Sequence, residues 1–335
     1  RSIRTRRRLS PMIDSSQRTI DYLRISITDR CNERCLYCMP EGFSDWKERS
    51  EILTYEEILS VVRVAVELGF SKFRVTGGEP LVRRDVENFL AQLLALEGVE
   101  HVGLSTNATR LASLAPALAA AGLRSMNVSL DAVDAEIYQR VTGGRLAEVI
   151  RGIDAALAAG ITKIKLNAVL MRGVNEEQIW PLIEFAAARN LPIRFIELMP
   201  VTFTEVLNEQ NFFPIVEAKR KIAERALMIP ENARLGFGPA TYYSLPEFGI
   251  SIGFIGAMTN LHFCETCSKM RLTADGKIRP CLGNHEEVDI KPALRPFVRE
   301  EELEELFVEA LRRKPVEHSF RDQYQPQRVM TAIGG

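Results

Sequence analysis

Cys31, Cys35 and Cys38 stand in a C-x3-C-x2-C run just after the strand-like stretch Tyr22–Thr28. Three thiolates this close can hold three irons of a [4Fe–4S] cube and leave the fourth iron without a protein ligand. An open iron can bind a small molecule and pass it an electron, so the chain reads as a redox enzyme. A structural zinc site closes with four ligands, and the nearest histidine, His101, is far off in sequence. Disulfide pairing would leave one thiol of the three over, and a chain of 335 residues can bury a core without covalent staples.

The other cysteines, Cys264, Cys267 and Cys281, form a C-x2-C-x13-C set. That spacing suits a zinc loop about as well as an iron–sulfur ligand set. It again supplies three ligands and no evident fourth, which favours a second cube whose open iron could take substrate. Lys269 and Arg271 nearby would neutralise an anionic group. Gly77-Gly78-Glu79-Pro80 follows another strand-like run, and by itself it is an ordinary turn.

These residues must be positioned by regular elements. From residue 21 to about 200, β-branched runs alternate with amphipathic ones. The spacing predicts strands at Tyr22–Thr28, Lys72–Thr76, His101–Thr106, Ser125–Leu130, Lys163–Leu170 and Pro192–Leu198. Between the first two, Glu56–Leu68 places Ile58, Val61, Val62, Ala65 and Leu68 on one helical face. Thr54 with Glu57 forms a capping box and Gly69 a stop; Asn175 with Gln178 is expected to open Glu176–Arg189 in a similar way. Gly122 and Gly160 end alanine-rich helices. Repeated βα units predict an α/β fold, an incomplete TIM-like (βα)6 barrel, with chemistry at the C-terminal ends of the strands. The cysteine triplet, the Gly-Gly-Glu-Pro run, Ser105-Thr106-Asn107, Ser129 with Asp131, and Glu197-Leu198-Met199-Pro200 all fall there. After Pro200 the alternation fades. A smaller C-terminal layer carrying the second cysteine set is expected, with helices near Pro214–Arg225 and Glu300–Arg313, the latter with Leu303, Leu306, Phe307, Ala310 and Leu311 on its apolar face. The expected division is a disordered basic tail at 1–13, a partial barrel at 14–200 and an auxiliary-site region at 201–335.

Composition narrows the class. Hydrophobic content of 46% and charged content of 26% are ordinary for a globular protein. A net charge of −1 gives no general attraction to nucleic acid or membrane, so an anionic ligand must be met by local cations. No apolar run approaches a membrane span, and no signal-peptide core is evident. The arginines at positions 1, 4, 6, 7 and 8 read as a solvated tail rather than a transit remnant. Thiols meant for metal must stay reduced, which fits the cytoplasm.

The first triplet with Tyr37 and Met39-Pro40, together with Gly77-Gly78-Glu79-Pro80, resembles the radical S-adenosylmethionine (SAM) superfamily. Within it, seven stretches resemble the GTP 3′,8-cyclase family: Asp21–Ser26, Arg74–Leu81, Asn127–Asp131, Arg194–Pro200, Cys264–Arg271, Thr273–Gly276 and Gly334-Gly335. The likeness runs from about residue 14 to the end of the chain and is weak at 201–213 and 228–248. Where the family usually has Arg, Thr and Gly, this chain has Lys269, Ser105 and Ala108; the stretch Asp14–Arg18 lacks the common Phe-Gly pair.

The resemblance implies a lyase that begins molybdenum cofactor biosynthesis, using two [4Fe–4S] clusters and SAM. A 5′-deoxyadenosyl radical would take hydrogen from C3′ of GTP, and C3′ would then join C8. The implied cluster ligands are Cys31, Cys35 and Cys38, and Cys264, Cys267 and Cys281. SAM would meet Tyr37, Gly78, Glu79, Ser129 and Met199. GTP would meet Arg24, Arg74, Ser105, Lys165, Arg194, Lys269 and Arg271; the arginine guanidinium groups can grip phosphate bidentately, which lysine cannot. The two clusters would face one another across the barrel's mouth. The resemblance also implies that the catalytic pair Gly334-Gly335 reaches into the active site. It further implies a one-electron donor such as flavodoxin or ferredoxin, cyclic pyranopterin monophosphate synthase downstream, and a homodimer.

Each residue also has a plain alternative. A core-facing Arg24 or Arg74 needs a partner to offset burial, whereas Lys165 could be an ordinary outward lysine. Tyr37 and Met199 suit packing, and Gly334-Gly335 a frayed end. His101, His262, His285 and His318 read as surface or structural residues. Two other functions compete: a radical SAM enzyme with an auxiliary cluster acting on a peptide or other substrate, and a non-catalytic module whose second cysteine loop binds zinc.

Overall fold

The structure, a computed structural model, describes residues 11–232, 235–322 and 324–335. Its elements follow the expected alternation closely: β1 (Tyr22–Ser26), α1 (Tyr55–Glu67), β2 (Lys72–Thr76), α2 (Val86–Leu94), β3 (His101–Thr106), α3 (Leu111–Ala120), β4 (Ser125–Ser129), α4 (Ala135–Thr142), α5 (Leu146–Ala158), β5 (Lys163–Leu170), α6 (Ile179–Ala187) and β6 (Ile193–Glu197). In α1 both halves of the Thr54–Glu57 capping box form, and Ile58, Val61, Val62 and Ala65 are buried. Gly69, Gly122 and Gly160 take positive φ just beyond α1, α3 and α5, the conformation that ends a helix without cost only at glycine.

The expectation at Asn175 is corrected. Its side chain makes no cap; its amide donates to the carbonyls of Asp131 and Val169 and its oxygen accepts from the Met171 amide. Gln178 instead accepts from the amides of Val133 and Asp134. Asn175 thus ties the loop after β4 to β5, and Gln178 ties the short 3₁₀ turn before α6 (Glu176–Gln178) to the start of α4.

The remainder is α7 (Ile215–Ala223), β7 (Ile229–Glu231), β8 (Thr241–Leu245), β9 (Ile250–Ile255), β10 (Lys269–Leu272), β11 (Lys277–Arg279), β12 (Val288–Asp289), α8 (Lys291–Leu294), α9 (Glu300–Arg312) and α10 (Met330–Ile333). These strands extend the sheet at both edges rather than forming a layer packed on it, which corrects that expectation. The order in the 12-stranded sheet is β12-β11-β10-β1-β2-β3-β4-β5-β6-β9-β8-β7. From β10 through β1–β6 to β9 every neighbouring pair is parallel, and the outer pairs are antiparallel. Among the described residues the end strands β12 and β7 are not paired to each other, so the barrel is open.

Alternation along the strands divides the side chains between two faces. Leu23, Ile25, Phe73, Val75, Leu104, Met126, Val128, Leu166 and Phe195 are buried in the main core. Helix α9 packs on α1, with the Phe307 and Phe70 ring centroids 5.7 Å apart. The alternate residues face inward, where a barrel of this kind is normally filled with apolar branched side chains. Here they are polar, and they enclose a cavity.

Of the tail expected at 1–13, residues 1–10 lie outside the described residues; Met12 is buried and Ile13 pairs with Thr19. Among the described residues no helix is long and apolar enough to cross a membrane.

Candidate active site

One cavity of about 380 Å³ is lined from every parallel strand, a size in the range of small-molecule sites. Backbone register sets its charges. Arg24 pairs with Arg74 on one side and Arg271 on the other, Tyr22 with Lys269, Asn127 with Lys165, and Asn167 with Arg194. Arg74, Lys165 and Arg194 are only 5%, 7% and 6% exposed. Two glycines make room: a Cβ on Gly103 would come within 2.6 Å of the Arg74 guanidinium, and one on Gly253 within 2.7 Å of Arg194 Cγ.

The partners of these cations are neutral. Arg74 donates to the Tyr22 hydroxyl (2.6 Å) and the Leu104 carbonyl (2.9 Å), and Arg194 to Asn167 Oδ1 (2.8 Å). The charges felt by Arg24, Lys165 and Arg194 come from one another, from Arg74, from Lys163 and from tyrosines, with no carboxylate among them. Burial, reinforced by neighbouring cations, pulls Arg24 down to about 10 and Lys165 to about 8, and lowers Lys269 and Arg271 in the same direction. Burial would raise Tyr22, but Arg74, Arg24 and Lys269 outweigh it and its pKa falls. Arg24 Nε, one Arg194 terminal nitrogen and Asn127 Oδ1 are buried without a hydrogen-bond partner. Buried polar atoms are almost always paired, so these mark where a ligand's groups belong.

Gly334-Gly335 enters the cavity. The Gly335 carbonyl accepts from Arg24 and from the Thr76 hydroxyl, and the Gly334 carbonyl accepts from Arg271. Gly334 has φ +92°, and a Cβ there would lie 2.8 Å from Ser26 Cβ.

Cys31, Cys35 and Cys38 lie in the loop after β1. Gly78 seats beneath it, with its amide donating to the Thr28 carbonyl (2.8 Å), and a Cβ at Gly78 would collide with the Arg30 carbonyl. Glu79 is buried and already engaged, accepting from Leu81 N, the Thr106 hydroxyl and Asn107 N. Burial raises its carboxyl to about 7. Tyr37 donates to Asp131 Oδ2 (2.8 Å), while Ser105, Ser129 and Met199 line the wall. Burial raises all three thiols, Cys31 to about 12, and the nearby carboxylates add to it.

Cys264 and Cys267 precede β10 and Cys281 follows β11, so the antiparallel pair brings the three thiols to one end. Because β10 runs parallel to β1, the second set stands before its strand and the first set after its own. The two sets therefore face along the strands rather than across the mouth, which corrects that expectation. Burial raises Cys264 and Cys281, whereas Lys314 and Lys269 overcome it at Cys267 and lower that thiol.

All the cysteines are free thiols and all line the cavity. Among the described residues no three His, Cys, Asp or Glu side chains converge tightly enough to hold a single metal ion. Each set supplies three free thiols, the donor number that a [4Fe–4S] cube with one open iron requires. Of the histidines, His262 is exposed beside Glu265, His285 stacks on Tyr324, and His101 packs against Phe237. His318 is buried, contacts the Ala257 carbonyl and lines the cavity. Sequence reasoning missed Tyr22, Asn127 and Asn167, which a run of alternating polar residues in buried strands would have flagged. It also missed Lys314, for which no local signal exists.

Residues 25–186 match the Radical SAM superfamily model, and residues 191–320 match Molybdenum Cofactor Synthesis C. SuiB of Streptococcus suis bound to its precursor peptide SuiA has the same fold, with a TM-score of 0.60 at 16% identity over 90% of this chain and 66% of that one. The fold and the first cysteine loop are thus those of a radical SAM protein. GTP 3′,8-cyclase of Moorella thermoacetica is 44% identical over 325 residues, covering 97% of this chain and 100% of the relative. GTP 3′,8-cyclase of Pseudomonas fluorescens is 43% identical over 330 residues, covering 97% and 98%. The chain belongs to the GTP 3′,8-cyclase family.

Proposed function

We propose that this chain is a lyase that converts GTP to (8S)-3′,8-cyclo-7,8-dihydroguanosine 5′-triphosphate, the first step of molybdopterin cofactor biosynthesis. The observation that carries the reading is the crowd of strand cations, with no carboxylate acting on Arg24 or Lys165, in one cavity that both groups of free thiols line. [4Fe–4S] clusters held by the two cysteine sets, with SAM at the first, would supply a 5′-deoxyadenosyl radical able to take hydrogen from C3′ of GTP; the C3′–C8 bond then leaves one unpaired electron, which an electron from the external donor and a proton would quench.

The chain's own residues do the rest. Arg24, Arg74, Lys165, Arg194, Lys269 and Arg271 hold the triphosphate, whose negative charge offsets their mutual repulsion. The unpaired nitrogens of Arg24 and Arg194 donate to it, and Asn127 Oδ1 accepts from the nucleoside. Ser105 lies on the same wall. Gly334-Gly335 brings bare backbone against the substrate. Gly78 lets SAM approach the backbone closely, Glu79 supplies negative charge near its amine, and Tyr37, Ser129 and Met199 wall it in. Such walls exclude water and hold C3′ in place, which radical chemistry requires. A peptide substrate would leave these cations uncompensated, which disfavours that alternative.

With this reading go a one-electron donor such as flavodoxin or ferredoxin, cyclic pyranopterin monophosphate synthase as the downstream enzyme, a homodimer and the cytoplasm. The domain division at residue 200 goes with it too, the C-terminal part carrying the auxiliary cluster. Anaerobic incubation of the reconstituted chain with SAM, dithionite and GTP, followed by mass analysis of the nucleotide, tests it. A cyclised product isobaric with GTP and dependent on SAM is expected; unchanged GTP alongside SAM cleavage would refute it.

A further inference from the structure

Lys314 follows α9 in the basic run Arg312-Arg313-Lys314, which by sequence is an ordinary helix end facing solvent. It is instead 4% exposed. Its ammonium donates to the Lys269 carbonyl at 2.8 Å and the Pro280 carbonyl at 2.9 Å, and lies 3.7 Å from Cys267 Sγ. Burying an ammonium without a counter-charge is strongly unfavourable. Two carbonyls take two of its three hydrogens and leave the third toward Cys267 Sγ and its charge unbalanced, whereas thiolates holding a cluster would balance it.

The placement is specific. Lys269 opens β10 two residues after Cys267, and Pro280 immediately precedes Cys281, so one side chain ties both strands of the ribbon that carries the second cysteine set. Its charge acts on Cys264, Cys267 and Cys281 alike. At the first set the charges acting on the thiols are instead those of Glu33, Glu79 and Asp131. A cation hydrogen-bonded to a ligand sulfur favours the reduced, more negative form of a cluster, and carboxylates oppose it.

We propose that Lys314 is a positioning residue for the second cluster: it fixes the ribbon that presents Cys267 and Cys281, and its charge raises that cluster's reduction potential. This rests on the two-cluster reading above. The test is an anaerobic redox titration followed by electron paramagnetic resonance, with iron analysis, on the full chain and on Lys314→Gln and Lys314→Arg. In Lys314→Gln, reduction of the second cluster should become at least tenfold less favourable, a fall of about 59 mV for one electron, with the first cluster unmoved. Lys314→Arg should stay near the parent. Selective loss of the second cluster in Lys314→Gln with retention in Lys314→Arg also supports the proposal, since the charge is what differs. An unchanged second potential at full iron content in Lys314→Gln overturns it, as does loss of the second cluster in both variants. Zinc in the second set of the unmutated chain would instead overturn the two-cluster reading itself.

Discussion

Replacing Arg194 with Met separates a ligand-binding role from a structural one. Methionine keeps most of the length of the side chain in a site that is 6% exposed, but removes the charge. Arg194 leans on neutral groups, Asn167 Oδ1 and Tyr242, and has one terminal nitrogen without a partner. Its charge is opposed by Arg74 and itself depresses Arg24 and Lys165. Removing it relieves that repulsion, so the thermal midpoint without nucleotide should hold or rise. With GTP present a charge-assisted hydrogen bond is lost, worth about 1.5–3 kcal/mol. That raises the GTP Kd by roughly 10- to 150-fold at 1.4 kcal/mol per factor of ten. Calorimetric titration with GTP under anaerobic conditions, paired with thermal melts of the free protein, reads both quantities. A Kd within twofold of the parent, or a melt lowered by many degrees, would refute the reasoning.

Three further outcomes follow from the same geometry. Cys281→Ala should keep reductive SAM cleavage and lose GTP cyclisation; surviving cyclisation in a product assay would contradict the role given to the second set. Gly334→Ala forces a side chain into φ +92° and against Ser26, a strain of about 1–3 kcal/mol, so turnover should fall at least tenfold while iron content is unchanged, and normal turnover would return Gly334-Gly335 to a passive end. Lys165, held near pH 8 by burial, should make GTP affinity fall as pH rises through that value. The sign for stability is opposite. The folded-state pKa is below the ordinary lysine value, so the penalty of the buried charge is complete below about pH 8 and fades above it. The free protein should therefore gain stability over the window in which it loses GTP affinity, and Lys165→Gln should flatten both trends; an unaltered pH profile in that variant would remove Lys165 from the site.

Strands β1–β6 were legible because each is a short β-branched run leading to an amphipathic helix, a local pattern with one stable solution. Strands β7, β11 and β12 were not, being three residues or fewer with no alternation of their own. The pairing of β10 with β1 is a contact between distant parts of the chain that no local pattern announces, and it changes the expected separate layer into a sheet extension. The cysteine sets and strand arginines could be read from type and spacing. Their mutual arrangement could not, because it depends on register: Arg24 faces the cavity beside Arg74 and Arg271 only because those strands align residue for residue. Lys165, equally readable as an outward lysine, turns inward for the same reason. Asn175 shows the opposite failure, a residue with good capping chemistry that a tertiary contact claims instead.

The most direct test of the account is the metal content of protein purified and reconstituted without oxygen. Two sets of three thiols, each holding a four-iron cube, predict about eight iron and eight sulfide per chain, falling by about half in Cys281→Ala. About four iron with one zinc per chain would contradict it.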